Sequence, residues 1–168
     1  MKRLLFTLAT CCVMCACEQK TEMNPFFTEF QTEYGAPDFT KIRLEHYEPA
    51  FLKGIEEQNA EIKAIVDNPE EPTFENTIVA LDKSGGILAR VSGVFFALTE
   101  ADTNDSLTAL NEKMAPVLSE HSDNIYLNQD LYKRVADVHQ QEQEGKITLT
   151  TKQHRLCLLY TSPSPRDR

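Results

Sequence analysis

Four histidines, His46, His121, His139 and His154, are the side chains of this 168-residue chain best suited to acid–base or metal chemistry. None opens a His-Glu-x-x-His pair. His139-Gln140-Gln141-Glu142 sets its glutamate three residues on and has no second histidine. A zinc site needs three or four converging donors, and the spacing here offers none, so no catalytic or metal-ligating residue is assigned. His121, set among apolar residues at helical intervals, reads as a packed core residue. His46 reads as a first-turn cap or packing residue. No nucleophile elbow, phosphate-binding loop or dinucleotide fingerprint occurs, and Gly85-Gly86 falls within a helical pattern without a phosphate cradle after it. Asn104-Asp105-Ser106 fits a glycosylation acceptor but is better explained as a helix cap. The many carboxylates are scattered and read as a solvated face. By motif chemistry alone the sequence names no reaction, and its substrate-binding residues are unknown.

The cysteines are informative by position. Cys11, Cys12, Cys15 and Cys17 crowd the N-terminus and Cys157 lies near the other end, so the intervening body has neither a disulfide framework nor a cysteine metal site. Met1-Lys2-Arg3 is basic, and residues 4–16 are apolar but too few to span a bilayer as a helix. Met14-Cys15-Ala16-Cys17 resembles a lipobox, with Cys17 as the residue that accepts the diacylglyceryl group and becomes the first mature residue. Residues 1–17 are therefore expected to be a lipoprotein signal, and the protein an exported bacterial lipoprotein anchored in a membrane, on the periplasmic side or at the cell surface. Acyl chains contribute about 0.8 kcal/mol per buried methylene, enough for firm anchoring.

The elements expected behind these residues are helices. The formal charge is −9, and the body is more acidic still because four basic residues but one acidic residue lie in the two ends. Such a surface repels nucleic acid, so no nucleic-acid partner is expected. Residues 18–44 read as an extended, aromatic-rich arm with Phe26, Phe27, Phe30, Tyr34 and Phe39, packed on the body. Tyr47, Phe51, Ile55, Ile62 and Ile65 predict a helix over 45–67 with Pro49 in its first turn, ended by Asn68-Pro69-Glu70-Glu71-Pro72. A second is predicted over 74–98, capped by Thr73, with Gly85-Gly86 marking a close crossing or a kink. A third covers 105–125, kinked at Pro116. A fourth starts after the cap Asn128 and ends near Gly145, and a fifth begins near Thr150. The expected fold is all-α, with antiparallel helices joined by short connections.

Residues 157–167 read Cys-Leu-Leu-Tyr-Thr-Ser-Pro-Ser-Pro-Arg-Asp. That string resembles the translation of an adapter used in transposase-based sequencing libraries. The resemblance implies that 157–168 is adapter-derived and that the fifth helix is interrupted near Leu156. Neither Cys157 nor the Ser-Pro repeats then carry chemistry.

The body resembles the zinc oligopeptidase and peptidyl-dipeptidase family, which includes thimet oligopeptidase, over about residues 24–156. The stretches that carry the resemblance are Asn24-Pro25-Phe26-Phe27, Ile42-Arg43-Leu44-Glu45-His46-Tyr47-Glu48-Pro49-Ala50-Phe51, Asn68-Pro69-Glu70-Glu71-Pro72-Thr73-Phe74-Glu75-Asn76-Thr77-Ile78 and Ala101-Asp102-Thr103-Asn104-Asp105. Ala115-Pro116 and His121-Ser122-Asp123-Asn124-Ile125-Tyr126-Leu127-Asn128 continue in register, and the departure is Leu44, where the family has proline. The resemblance implies that 45–156 is the N-terminal helical region of a longer all-α zinc peptidase. The family's His-Glu-x-x-His and a further glutamate lie beyond this chain, so the fragment holds neither zinc nor a catalytic residue. The full-length protein would hydrolyse short peptides, two residues from the C-terminus. The competing expectation is a non-catalytic helical lipoprotein that binds a peptide or protein partner. Lipidation gives the first prediction: labelled palmitate enters the wild-type protein in the bacterium, and Cys17→Ala removes the label. Full labelling of that variant would move the site to Cys15 or elsewhere.

Overall fold

The computed structural model describes residues 23–161. The expected signal, residues 1–17 with Cys17, lies outside the described residues, as do residues 162–168. Six α-helices form, and no strand occurs among the described residues. The all-α expectation holds.

Helix α1, Leu44–Val66, is the spine. The Arg43 backbone N–H donates to His46 Nδ1 at 3.1 Å, so His46 does cap the first turn, with Glu45 placed to favour the positive helix end. Because α1 starts at Leu44, Pro49 lies in the second turn rather than the first. The helix tolerates it there, at the cost of the hydrogen bond that the Glu45 carbonyl would receive. Pro116 likewise sits inside α4, Asp105–Tyr126, without dividing it.

The second predicted helix is two pieces. A π-helical stretch, Phe74–Val79, runs into α2, Ala80–Lys83, and the chain then breaks before α3, Gly86–Ala101. Gly85 takes φ +73°, the left-handed region that favours glycine. The glycine pair thus marks the expected kink, and a second close approach lies at Gly54 on α1, where an added Cβ would lie 2.8 Å from the backbone nitrogen of Leu88 on α3. Helix α5, Gln129–Gln143, follows α4 after a turn in which the Asn128 side chain accepts the N–H groups of Asp130 and Leu131. Asn104 does the same for Ser106 and Leu107 at the start of α4, which bears out its reading as a cap. Helix α6, Thr151–Thr161, runs past Leu156 instead of stopping there. Cys157 is fully buried, and Leu156 and Tyr160 pack beside it, because their spacing keeps one apolar face turned to the core.

Two apolar clusters share α1. One joins Phe26, Tyr47, Phe51, Val91, Phe95, Leu107 and Met114. The rings of Phe26, Tyr47, Phe95 and Phe51 form a ladder with centroids 5.2–5.3 Å apart. The other joins Ile62, Ile65, Phe74, Ile78, Leu131, Val135 and Val138. The arm is tied to the first cluster by buried Phe26 and by two hydrogen bonds. Asn24 Nδ2 donates to the His46 carbonyl and Arg90 Nη1 to the Phe26 carbonyl, each at 2.7 Å. Tyr34 stays 95 % exposed and Phe39 also faces solvent, but Phe30 and Ile42 pack against the first cluster, so the arm packs in part. No helix among the described residues is long and apolar enough to cross a membrane.

The Gly54 crossing sets the second prediction. Gly54→Ala forces α1 from the Leu88 backbone and lowers stability in urea titration by about 1–3 kcal/mol. Gly93→Ala, exposed on α3 with no atom within 4 Å of the new Cβ, raises it by about 1 kcal/mol. Equal effects at the two sites would show that the crossing is not tight.

Candidate functional site

A cleft of about 300 Å³ opens where α2, α4 and α5 meet the middle of α1. Its inner end is a hydrogen-bonded chain. His121 Nε2 lies 2.7 Å from Gln58 Oε1, so this nitrogen carries the proton and donates to the amide oxygen. Gln58 Nε2 donates to Ser84 Oγ at 3.1 Å, and the Ser84 hydroxyl donates to the Leu81 carbonyl at 2.8 Å. Beside it the Gly85 N–H donates to Glu61 Oε2 at 2.7 Å. Leu88, Leu118, Leu131 and Val135 form apolar walls. Asp82, Tyr126, Tyr132 and Tyr160 stand at the mouth, where the Tyr160 hydroxyl donates to Asp82 Oδ1 at 3.3 Å. Burial first, and then the Asp82 charge, push the Tyr160 phenol up to about 12.

The histidines divide as the sequence suggested for two of them and otherwise for the other pair. His46 caps α1 and His121 is buried. His139 and Glu142 on α5 and Cys157 on α6 come together, with one donor atom from each within 4.8 Å of the others. His154 joins them, its Nδ1 2.9 Å from both carboxylate oxygens of Glu142. The sequence showed no converging set because half of this one sits on a facing helix. Its chemistry differs from the family's zinc centre, which needs two histidines four residues apart and two glutamates. Here Glu142 is engaged by His154, His139 Nε2 pairs with Gln143 at 2.9 Å, and burial together with the Glu142 charge holds the Cys157 thiol protonated. The set is therefore not the family's zinc centre. The cleft, too, was missed. The signal for it was a polar trio, Gln58, Ser84 and His121, each on an otherwise apolar helix face or junction.

The stretches that carry the family resemblance are the joints of this fold. Thr73 Oγ1 accepts the Asn76 N–H at 3.0 Å while Asn76 Oδ1 accepts the Thr73 N–H at 2.8 Å, a reciprocal cap, and Asn76 Nδ2 donates to the Glu71 carbonyl. Arg134 donates to the Asn68 and Glu70 carbonyls and Gln141 to that of Pro72, so α5 clasps the whole turn.

Comparison with known proteins agrees. No family model matches the chain. The dipeptidyl carboxypeptidase of Escherichia coli strain K12 is 47 % identical over 123 residues, 73 % of this chain and 18 % of that protein. The Salmonella typhimurium dipeptidyl carboxypeptidase is 46 % identical over 118 residues, and oligopeptidase A of Escherichia coli is 27 % identical over 132. The chain belongs to the zinc oligopeptidase and peptidyl-dipeptidase family. Its match spans about a fifth of the length of these relatives. Within this family segment His121 is the most buried of the histidines.

Burial lowers the His121 pKa from its ordinary 6.5. The unfolded chain therefore takes up a proton near pH 6.5 that the folded chain resists. The stability tied to neutral His121 is complete above that pH and is lost as pH falls from about 6.5 toward the folded value. The third prediction is that the melting temperature drops between about pH 7.5 and 5.5 and that His121→Gln flattens this slope. An unchanged slope in the variant would assign the drop to other groups.

Proposed function

We propose that this chain is the N-terminal helical part of an exported zinc peptidase that removes dipeptides from the C-termini of short peptides. The observation that carries the reading is the 47 % identity to a dipeptidyl carboxypeptidase, against 27 % to an oligopeptidase. In the full-length protein, zinc would polarise the scissile carbonyl and activate a water, with ligands supplied from outside this chain. The part of this segment would be structural. Its helices wall a peptide channel that folded proteins cannot enter, and Cys17 carries the lipid that holds the enzyme at the membrane. The acidic surface takes no nucleic acid. The segment alone holds no catalytic zinc and cleaves nothing.

The fourth prediction tests this directly. Genomic DNA past the Leu156 codon continues in frame to a His-Glu-x-x-His. The longer protein releases dipeptides from blocked short peptides, loses activity to a chelator and regains it with zinc, while residues 18–161 alone show no hydrolysis. A stop codon soon after Leu156 would overturn the peptidase reading in favour of a non-catalytic binding lipoprotein.

A further inference from the structure

We propose that the cleft between α2, α4 and α5 is a binding site for an arginine side chain carried by a peptide. This goes beyond the peptidase reading and involves no hydrolysis. The lining contains one carboxylate, Asp82, and no lysine or arginine. Its remaining titratable base, His121, is buried at the inner end and already donates to Gln58. An anion would find no countercharge there, whereas a cation meets Asp82 as it enters. Tyr126 and Tyr132 line the same cleft and are 73 % and 51 % exposed, so both rings are accessible to a ligand. Aromatic faces beside a carboxylate favour a planar guanidinium over an ammonium, because the guanidinium can stack on a ring and pair with both carboxylate oxygens at once.

The walls behind the mouth suit the rest of such a side chain. Leu88, Leu118, Leu131 and Val135 offer apolar surface for a methylene stem. A volume of about 300 Å³ is at the small end for ligand pockets and admits one extended side chain rather than a folded peptide. The polar trio at the inner end is hydrogen-bonded within itself, so it shapes the cleft without demanding a charged partner. Tyr160 holds one oxygen of Asp82 through a long bond of 3.3 Å. The incoming guanidinium replaces that bond.

The experiment is an NMR titration of the full 168-residue chain with N-acetyl-arginine amide, reading the rings of Tyr126, Tyr132 and His121, with exposed Tyr34 on the arm as the control. Arginine amide shifts the three cleft rings with millimolar affinity and leaves Tyr34 unmoved. The uncharged citrulline analogue binds at least about tenfold more weakly, and Asp82→Asn weakens arginine by a similar factor, about 1.4 kcal/mol. Raising the salt weakens arginine binding as well. Tyr160→Phe, which frees Asp82, binds arginine at least as well as the wild type. Asp82 is exposed, so the Asp82→Asn fold is checked by an unchanged helical circular dichroism signal. Equal binding of citrulline, undiminished binding by folded Asp82→Asn, or shifts no larger than those of Tyr34 would each overturn the proposal. None of these outcomes bears on the peptidase test, because no hydrolysis is measured.

Discussion

Glu61 and Gln58 lie one helical turn apart on α1, and both reach the point where the chain breaks between α2 and α3. Glu61 takes the Gly85 N–H, and Gln58 bridges Ser84 to His121 on α4. A helix end inside a fold must find partners for its orphaned backbone groups. Here the partners come from the spine helix, and the grip is close: a Cβ on Gly85 would fall 2.6 Å from the Gln58 side chain. This junction sets where α3 begins, and hence how Leu88 meets Gly54 and how Val91 and Phe95 enter the aromatic cluster. The cleft is what the same junction leaves open on its other side.

The two clusters depend on that arrangement differently. The aromatic cluster needs α1 and α3 in contact, since Tyr47 and Phe51 reach Phe95 only when the helices approach closely. The second cluster is assembled from the π-helical stretch, α5 and α6 on the far half of α1. It is fastened by Arg134 and Gln141, which donate to carbonyls of the Asn68–Pro72 turn. The carbonyls of half-buried Asn68 and Pro72 would otherwise lack donors, a costly state for backbone groups. The family-like stretches thus coincide with turns whose hydrogen bonds are made over long sequence distances. That gives their residue types a physical reason apart from any catalytic role.

Sequence by itself determined the helical class and most of the boundaries, because those follow from local chemistry. The caps at Asn104, Asn128 and Thr73 and the apolar repeat of α1 are short-range signals, and each forms as its residues dictate. Family membership was legible for the same reason, since the turn sequences are contiguous. Tertiary structure alone decided the rest. It added a close approach at Gly54, carried α6 past Leu156, and brought His139, Glu142, His154 and Cys157 together across two helices. It also made a cleft from Asp82, His121 and Tyr132, which lie far apart in sequence. Periodicity reports which face of a helix is apolar. It does not report which other helix that face meets, and every feature the sequence missed depends on that pairing.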